Sequence, residues 1–131
     1  MITETLVDHE ISHKGLTNLE VVGSMHDRKG RMSDLSDAFI MLPGGFGTFK
    51  EFFEAVTWTQ LGIHQKSCGI LDVDGYFNPL FEIIERAVED RFMRIEHAQI
   101  VRRNTDPAQL ITDLQNYQPV EVDKWLDRSD R

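Results

Sequence analysis

Ala38-Phe39-Ile40-Met41-Leu42, followed at once by Pro43-Gly44-Gly45-Phe46-Gly47-Thr48, is the stretch on which the fold turns. An apolar run without polar alternation is the pattern of a parallel strand buried on both faces. The glycines behind it permit positive φ and let an anion come close to backbone amides. Over residues 48–61, Phe49, Phe52, Phe53, Val56 and Leu61 recur on one helical stripe, and Gly62 is a stop. Strand, glycine loop and helix in that order set N–H groups and about half a positive charge behind the loop, the physical make-up of a phosphate site. The loop is not a Walker P-loop, because no Gly-Lys-Ser/Thr follows, and it is not Gly-x-Gly-x-x-Gly. A tight turn that uses glycine only for its geometry is the plainer alternative.

Working outward, three further apolar runs alternate with helical patterns: Leu19-Glu20-Val21-Val22, Gly69-Ile70-Leu71-Asp72-Val73 and Ala98-Gln99-Ile100-Val101. Met25, Met32 and Leu35 give residues 24–36 a helical spacing, with Ser24 as cap and Asp27 three residues on. Asn78-Pro79 reads as N-cap and first helical position, ahead of Leu80, Ile83, Ile84, Ala87 and Val88. Thr105-Asp106-Pro107 opens a last helix carrying Leu110, Ile111 and Leu114. Alternation of this kind implies an α/β protein with a parallel sheet.

At 131 residues, 40% hydrophobic and 27% charged, the chain has the composition of one globular domain. A net charge of −8 disfavours nucleic acid and anionic membranes as partners, because the summed field repels phosphates. No apolar run approaches the ~20 residues of a membrane span. Residues 1–14 are polar and acidic, unlike a signal peptide, so a cytoplasmic location is expected. Cys68 is the one cysteine and has no evident base partner, which fits a small buried residue at a strand start. The five histidines are scattered, only His9 and His13 have i, i+4 spacing, and neither a metal nor a cofactor is expected.

Thr48 and Glu51 read two ways. Thr-x-x-Glu is a capping box, in which the two side chains satisfy helix-end amides. Alternatively Glu51 stands at the rim of the anion site, where its carboxylate could bind a hydroxyl, position water or exchange a proton. Glu54, one turn on, either shares that face or is solvated. His26-Asp27-Arg28-Lys29-Gly30-Arg31 concentrates three cations in an otherwise acidic chain. It is either a solvated basic face or a phosphate grip, with Arg binding bidentately and Lys acting as a point charge. Both the cluster and the glycine loop follow strands, so a parallel sheet would set both at the carboxyl edge where α/β proteins bind ligands.

Met25-His26-Asp27-Arg28-Lys29, Pro43-Gly44-Gly45-Phe46-Gly47-Thr48-Phe49-Lys50-Glu51 and Thr57-Trp58-Thr59-Gln60-Leu61-Gly62-Ile63-His64 together resemble the LOG ("Lonely guy") family. These are cytokinin riboside 5′-monophosphate phosphoribohydrolases, formerly labelled lysine decarboxylases. The resemblance runs from about residue 2 to about residue 119. It implies a Rossmann-like parallel sheet with flanking helices and a homodimer or higher oligomer. It also implies hydrolysis of the N-glycosidic bond of AMP or N6-modified AMP to free base and ribose 5-phosphate. By motif match, Arg28 and Glu51 are the catalytic pair. Gly44, Gly45, Gly47 and Thr48 hold the 5′-phosphate with Lys29 nearby, and Met25 and Glu54 are secondary candidates.

Two departures are small: Lys50 replaces a frequent acid, and Gly30 a usual Ala. The larger one is at the front, where the family's first strands, an early Gly-Ser-x-x-Gly turn and a Gly-Gly-Gly loop find no counterpart. Ile2-Thr3-Glu4 then reads as the tail of a strand, residues 1–118 as the C-terminal two thirds of a family domain, and residues 119–131 as a charged tail that Val120, Val122, Trp125 and Leu126 anchor in part. Without central strands, residues 19–22 are expected to form an unpaired edge, which favours an oligomeric, swapped or completed assembly. A nucleotide-binding module without turnover, resembling the molybdenum-cofactor carriers, is the alternative function. A pyridoxal-dependent decarboxylase is disfavoured, because no lysine has a recognisable Schiff-base context.

Overall fold

A computed structural model of the chain describes residues 1–3 and 15–119. His9 and His13, and the tail expected from residue 119 onward except Pro119 itself, lie outside the described residues. The chain divides into two compact units, residues 1–36 and residues 37–131.

In the first unit, β1 (Ile2–Thr3) pairs in parallel with β2 (Val21–Val22), Ile2 opposite Val21 and Thr3 opposite Val22. The strand read at residues 19–22 is therefore shorter than expected, and it is not unpaired: Ile2 N–H donates to the Glu20 carbonyl at 3.0 Å. Helix α1 (Met25–Leu35) starts where the sequence says it should. The Ser24 hydroxyl accepts the Asp27 N–H at 3.1 Å and donates to the Asp27 carboxylate at 2.6 Å. Met25, Met32 and Leu35 stay exposed, and Ser33 is the buried residue of the helix.

The second unit holds a three-stranded parallel sheet in the order β3 (Ala38–Met41), β4 (Ser67–Leu71), β5 (Val101–Asn104). Register puts Phe39, Cys68 and Val101 in one row and Met41, Ile70 and Arg103 in another on the same face. Helix α2 (Phe46–Leu61) covers that face. Phe52 and Ala55 join Met41, Cys68, Ile70 and Phe77 in the core, with Phe39, Phe49, Phe53, Val56 and Leu80 packed around them. On the opposite face α5 (Pro107–Gln115) lies so close to β4 that a Cβ at Gly69 would sit 3.0 Å from Leu110 and 3.1 Å from Leu114. Glycine there is a packing requirement.

Between β4 and β5 run α3 (Asn78–Glu89) and a single turn, α4 (Ile95–Ala98). Parallel strands with flanking helices make the arrangement α/β and Rossmann-like, as expected. Gly62, at φ +66°, ends α2, and the Asp106 side chain caps α5 by accepting the Gln109 N–H at 2.9 Å.

Several boundaries differ from the sequence reading. β3 is not buried on both faces: Ile40 is 44% exposed, because β3 ends its sheet among the described strands and α5 lies over β4 and β5. β4 starts two residues early, at Ser67, and stops before Asp72. Residues 98–101 are not the fourth strand, since Ala98 closes α4 and β5 takes Val101-Arg102-Arg103-Asn104 instead. Asn78 is not the cap of α3 but its first residue, behind Phe77, and its side-chain oxygen accepts from Arg103. Leu61 and Ile111 are half-exposed rather than core, and no residue of α3 is fully buried.

Candidate functional site

The β3–α2 junction brings together Gly44, Gly45, Gly47, Thr48, Glu51 and Glu54 on one continuous piece of chain. Helix α2 begins two residues earlier than its apolar stripe indicated. Gly45 is its N-cap, with extended backbone (φ −107°, ψ −154°) and no side-chain cap. Thr48 is therefore already inside the first turn, and the capping-box reading of Thr48 and Glu51 fails. A helix N-terminus without a side-chain cap keeps its first amides available to an anion, with the macrodipole in support.

Thr48 instead folds back over the loop. A Cβ at Gly44 would meet Thr48 Oγ1 at 2.2 Å and Thr48 Cβ at 2.9 Å, whereas one at Gly45 or Gly47 meets nothing within 4 Å. Gly44 thus serves close packing, and Gly45 and Gly47 keep the loop surface bare. Glu51, nearly one turn further along α2, is exposed, Glu54 is half-buried, and Lys50 faces solvent.

The remaining sequence candidates sit on α1, in the other unit. Arg28 is half-buried: Nη1 lies 3.9 Å from Met25 Sδ, and Nε is buried without a hydrogen-bond partner among the described residues. An unsatisfied guanidinium N–H is costly and fits a group that meets its partner in a ligand complex. Lys29 follows on the same helix. Arg31 does not add a third cation to the cluster, because its Nε is paired with Glu20 at 2.9 Å.

Tyr76, in the turn after β4, was not singled out by sequence, yet its hydroxyl donates to the Gly44 carbonyl. Its position at the end of a parallel strand, the edge that also carries the glycine loop, was the available signal. Asp72 was also missed. It is buried at the end of β4, and hydrogen bonds from Arg103 and then from the Phe77 N–H hold its carboxyl below the usual range, against the opposing effect of burial. Cys68 is fully buried, and burial pushes its thiol up to about 11, so it is not a nucleophile. Burial, with Lys66 second, lowers His64, whose ring stacks on Phe39 at 5.5 Å and meets Trp58 edge-on. Trp58 is half-buried and packs against that ring.

Among the described residues no three His, Cys, Asp or Glu gather where they could hold a metal ion, and no helix is long and apolar enough to cross a membrane. An open cavity of about 390 Å³ lies against β5 and α5, lined by Val101, Arg102, Arg103, Asp113 and Asn116, and contains none of the sequence candidates.

Parallel strands with flanking helices define a Rossmann-like α/β protein, with an uncapped glycine loop at the carboxyl edge of its strands. The chain belongs to the family whose model is described as "Possible lysine decarboxylase", which matches residues 1–114. It is 45% identical over 119 residues to the probable cytokinin riboside 5′-monophosphate phosphoribohydrolase LOGL2 of Oryza sativa subsp. japonica, covering 91% of this chain and 49% of that protein. Against the cytokinin riboside 5′-monophosphate phosphoribohydrolase LOG4 of Arabidopsis thaliana it is 42% identical over 119 residues, covering 91% and 55%. Against LOG5 of the same plant it is 42% identical over 120 residues, covering 92% and 53%. The chain thus spans about half the length of the curated relatives it matches.

Proposed function

We propose that the chain is a nucleoside 5′-monophosphate phosphoribohydrolase, cleaving the N-glycosidic bond of AMP or N6-modified AMP to free base and ribose 5-phosphate. The observation that carries the reading is the uncapped start of α2 at Gly45, behind bare Gly45 and Gly47, with the exposed carboxylate of Glu51 on the same helix. Similarity of 40–45% to proteins named for this activity supports it.

In this reading the amides of residues 45–47 and the Thr48 hydroxyl hold the 5′-phosphate, with Lys29 adding charge. Glu51 stabilises the oxocarbenium character that builds at C1′ and takes a proton from the attacking water. The water oxygen bonds to C1′ as the C1′–N9 bond breaks, and the base leaves with the electron pair and gains a proton. Arg28 orients the sugar phosphate or the Glu51 carboxylate. Met25 and Glu54 are secondary candidates for substrate contact in this reading. Each step uses side-chain chemistry, and no cofactor is invoked.

The same reading takes residues 1–118 as part of a LOG-type domain, with a charged tail after it. It also places the protein in the cytoplasm with a nucleotide, not nucleic acid or membrane, as partner. It makes the protein a homodimer or larger. Ile63 at 63%, Ile83 at 60% and Phe92 at 88% exposure are apolar surface of the kind that a second copy covers.

The test compares wild type with Glu51→Gln and Arg28→Ala on AMP and N6-isopentenyl-AMP by chromatography. Glu51→Gln is expected to lower kcat by roughly 10²–10⁴-fold, the range of a positioned acid or base, while AMP still binds. A wild type that binds AMP without releasing base returns the protein to a binding module.

A further inference from the structure

Two loops leave the carboxyl edge of the β3-β4-β5 sheet side by side, residues 42–45 after β3 and residues 72–77 after β4. They are joined by one hydrogen bond, 2.6 Å from the Tyr76 hydroxyl to the Gly44 carbonyl oxygen, between residues 32 apart in sequence. That is a full-strength O–H···O contact.

Tyr76 is itself held from behind. Asp74 at φ +52° and Gly75 at φ +72° make the turn tight, and the Tyr76 N–H closes it on the Val73 carbonyl at 3.0 Å. The buried Asp72 carboxylate takes the Phe77 N–H on Oδ1 at 3.2 Å and Arg103 on Oδ2. Arg103 reaches on to the Asn78 side chain and lies 4.5 Å from the centre of the Phe81 ring. The Tyr76 ring packs edge-on against fully buried Phe77, 4.9 Å between centroids. An ion pair from β5 thus fixes the turn that carries the hydroxyl.

The consequence for the glycine loop follows from peptide geometry. The Gly44–Gly45 peptide is planar and trans, so its C=O and N–H point in opposite directions. With glycine on both sides this unit is free to flip at little steric cost. A flip would present a carbonyl oxygen, rather than an N–H, to an anion in front of α2. We propose that Tyr76 is a positioning residue: by holding the Gly44 carbonyl it keeps the Gly45 N–H on the ligand side, and the Asp72–Arg103 pair locks Tyr76 for that task. This rests on the reading of the loop as the 5′-phosphate site.

The test is Tyr76→Phe in the full chain, which keeps the ring packed on Phe77 and removes only the donor. Amide hydrogen exchange over residues 43–48 is expected to speed up about fivefold, the factor set by one ordinary hydrogen bond, with β4 and α5 unchanged. Loop exchange equal to wild type overturns the brace. Calorimetric titration with AMP and with inorganic phosphate should show both affinities weakened by the same roughly three- to tenfold factor. In turnover, KM should rise and kcat hold, a split that general loosening of the fold would not produce. Weakened AMP binding with unchanged phosphate binding also overturns the proposal. A wild type that binds neither AMP nor phosphate refutes the phosphate reading, and the exchange measurement then decides the brace alone.

Discussion

Replacing Gly44 by alanine probes the loop most sharply, because the structure sets the collision. The new Cβ would lie 2.2 Å from Thr48 Oγ1, 2.9 Å from Thr48 Cβ and 3.2 Å from Thr48 Cγ2. The hydroxyl can rotate away, but the Cβ of Thr48 is fixed by the first turn of α2, so the loop backbone has to yield by several tenths of an ångström. Overpacking of this sort costs about 1–3 kcal/mol, or roughly 3–15 °C in Tm for a chain of this size. The shift also strains the 2.6 Å bond that Gly44 accepts from Tyr76. Gly45→Ala meets nothing within 4 Å and loses only cap preference, about 0.5 kcal/mol. Gly47→Ala, in the open first turn of α2, gains up to about 1 kcal/mol of helix propensity. Adding Thr48→Gly to Gly44→Ala removes the colliding atoms and should recover stability apart from roughly 0.3 kcal/mol, the helix-propensity difference between threonine and glycine. Thermal and urea unfolding of the four variants measures the order. Equal losses for Gly44→Ala and Gly47→Ala would refute the packing described.

Cys68, with its thiol near 11 and no exposed surface, should resist a thiol reagent at pH 8 in the native chain and react promptly in denaturant; native-state labelling at the unfolded rate contradicts its burial. Asp72 is held below its ordinary value of 3.8, so its contribution to stability is complete above that pH and is lost as pH falls through the lower folded value. Asp72→Asn should therefore flatten the acid limb of the stability curve below about pH 4, and an unaltered limb counts against the Arg103 pairing. Light scattering of the full chain should give a dimer or larger particle, and a well-behaved monomer would refute the proposed homo-oligomer.

Local chemistry was legible in the sequence wherever it decides the structure. Ser24 was readable as a cap because a side-chain oxygen and an amide three residues on are all such a cap needs. The alternation that specified a parallel α/β sheet held, as did the Gly62 stop. What failed was set by distant partners. Val101-Arg102-Arg103-Asn104 does not read as a strand, yet Arg103 is neutralised by Asp72 and Arg102 lies over the Tyr117 ring at 5.7 Å. Asn78 looked like a cap, but Arg103, 25 residues away, takes its carboxamide. Thr48-x-x-Glu51 looked like a capping box because the stripe of phenylalanines begins at Phe49, while the helix itself begins at Phe46. Of the site, the glycine loop was legible as a motif. The braces behind it, Tyr76 and Asp72, were not, since they are joined to it only by the folded sheet.

Whether this chain breaks a glycosidic bond is decided by quantifying adenine and ribose 5-phosphate from AMP incubated with the purified protein. Both products are expected in equal amounts, with release slowed roughly 10²–10⁴-fold in Glu51→Gln. Full occupancy by AMP with no adenine released would contradict glycosidic cleavage by this chain.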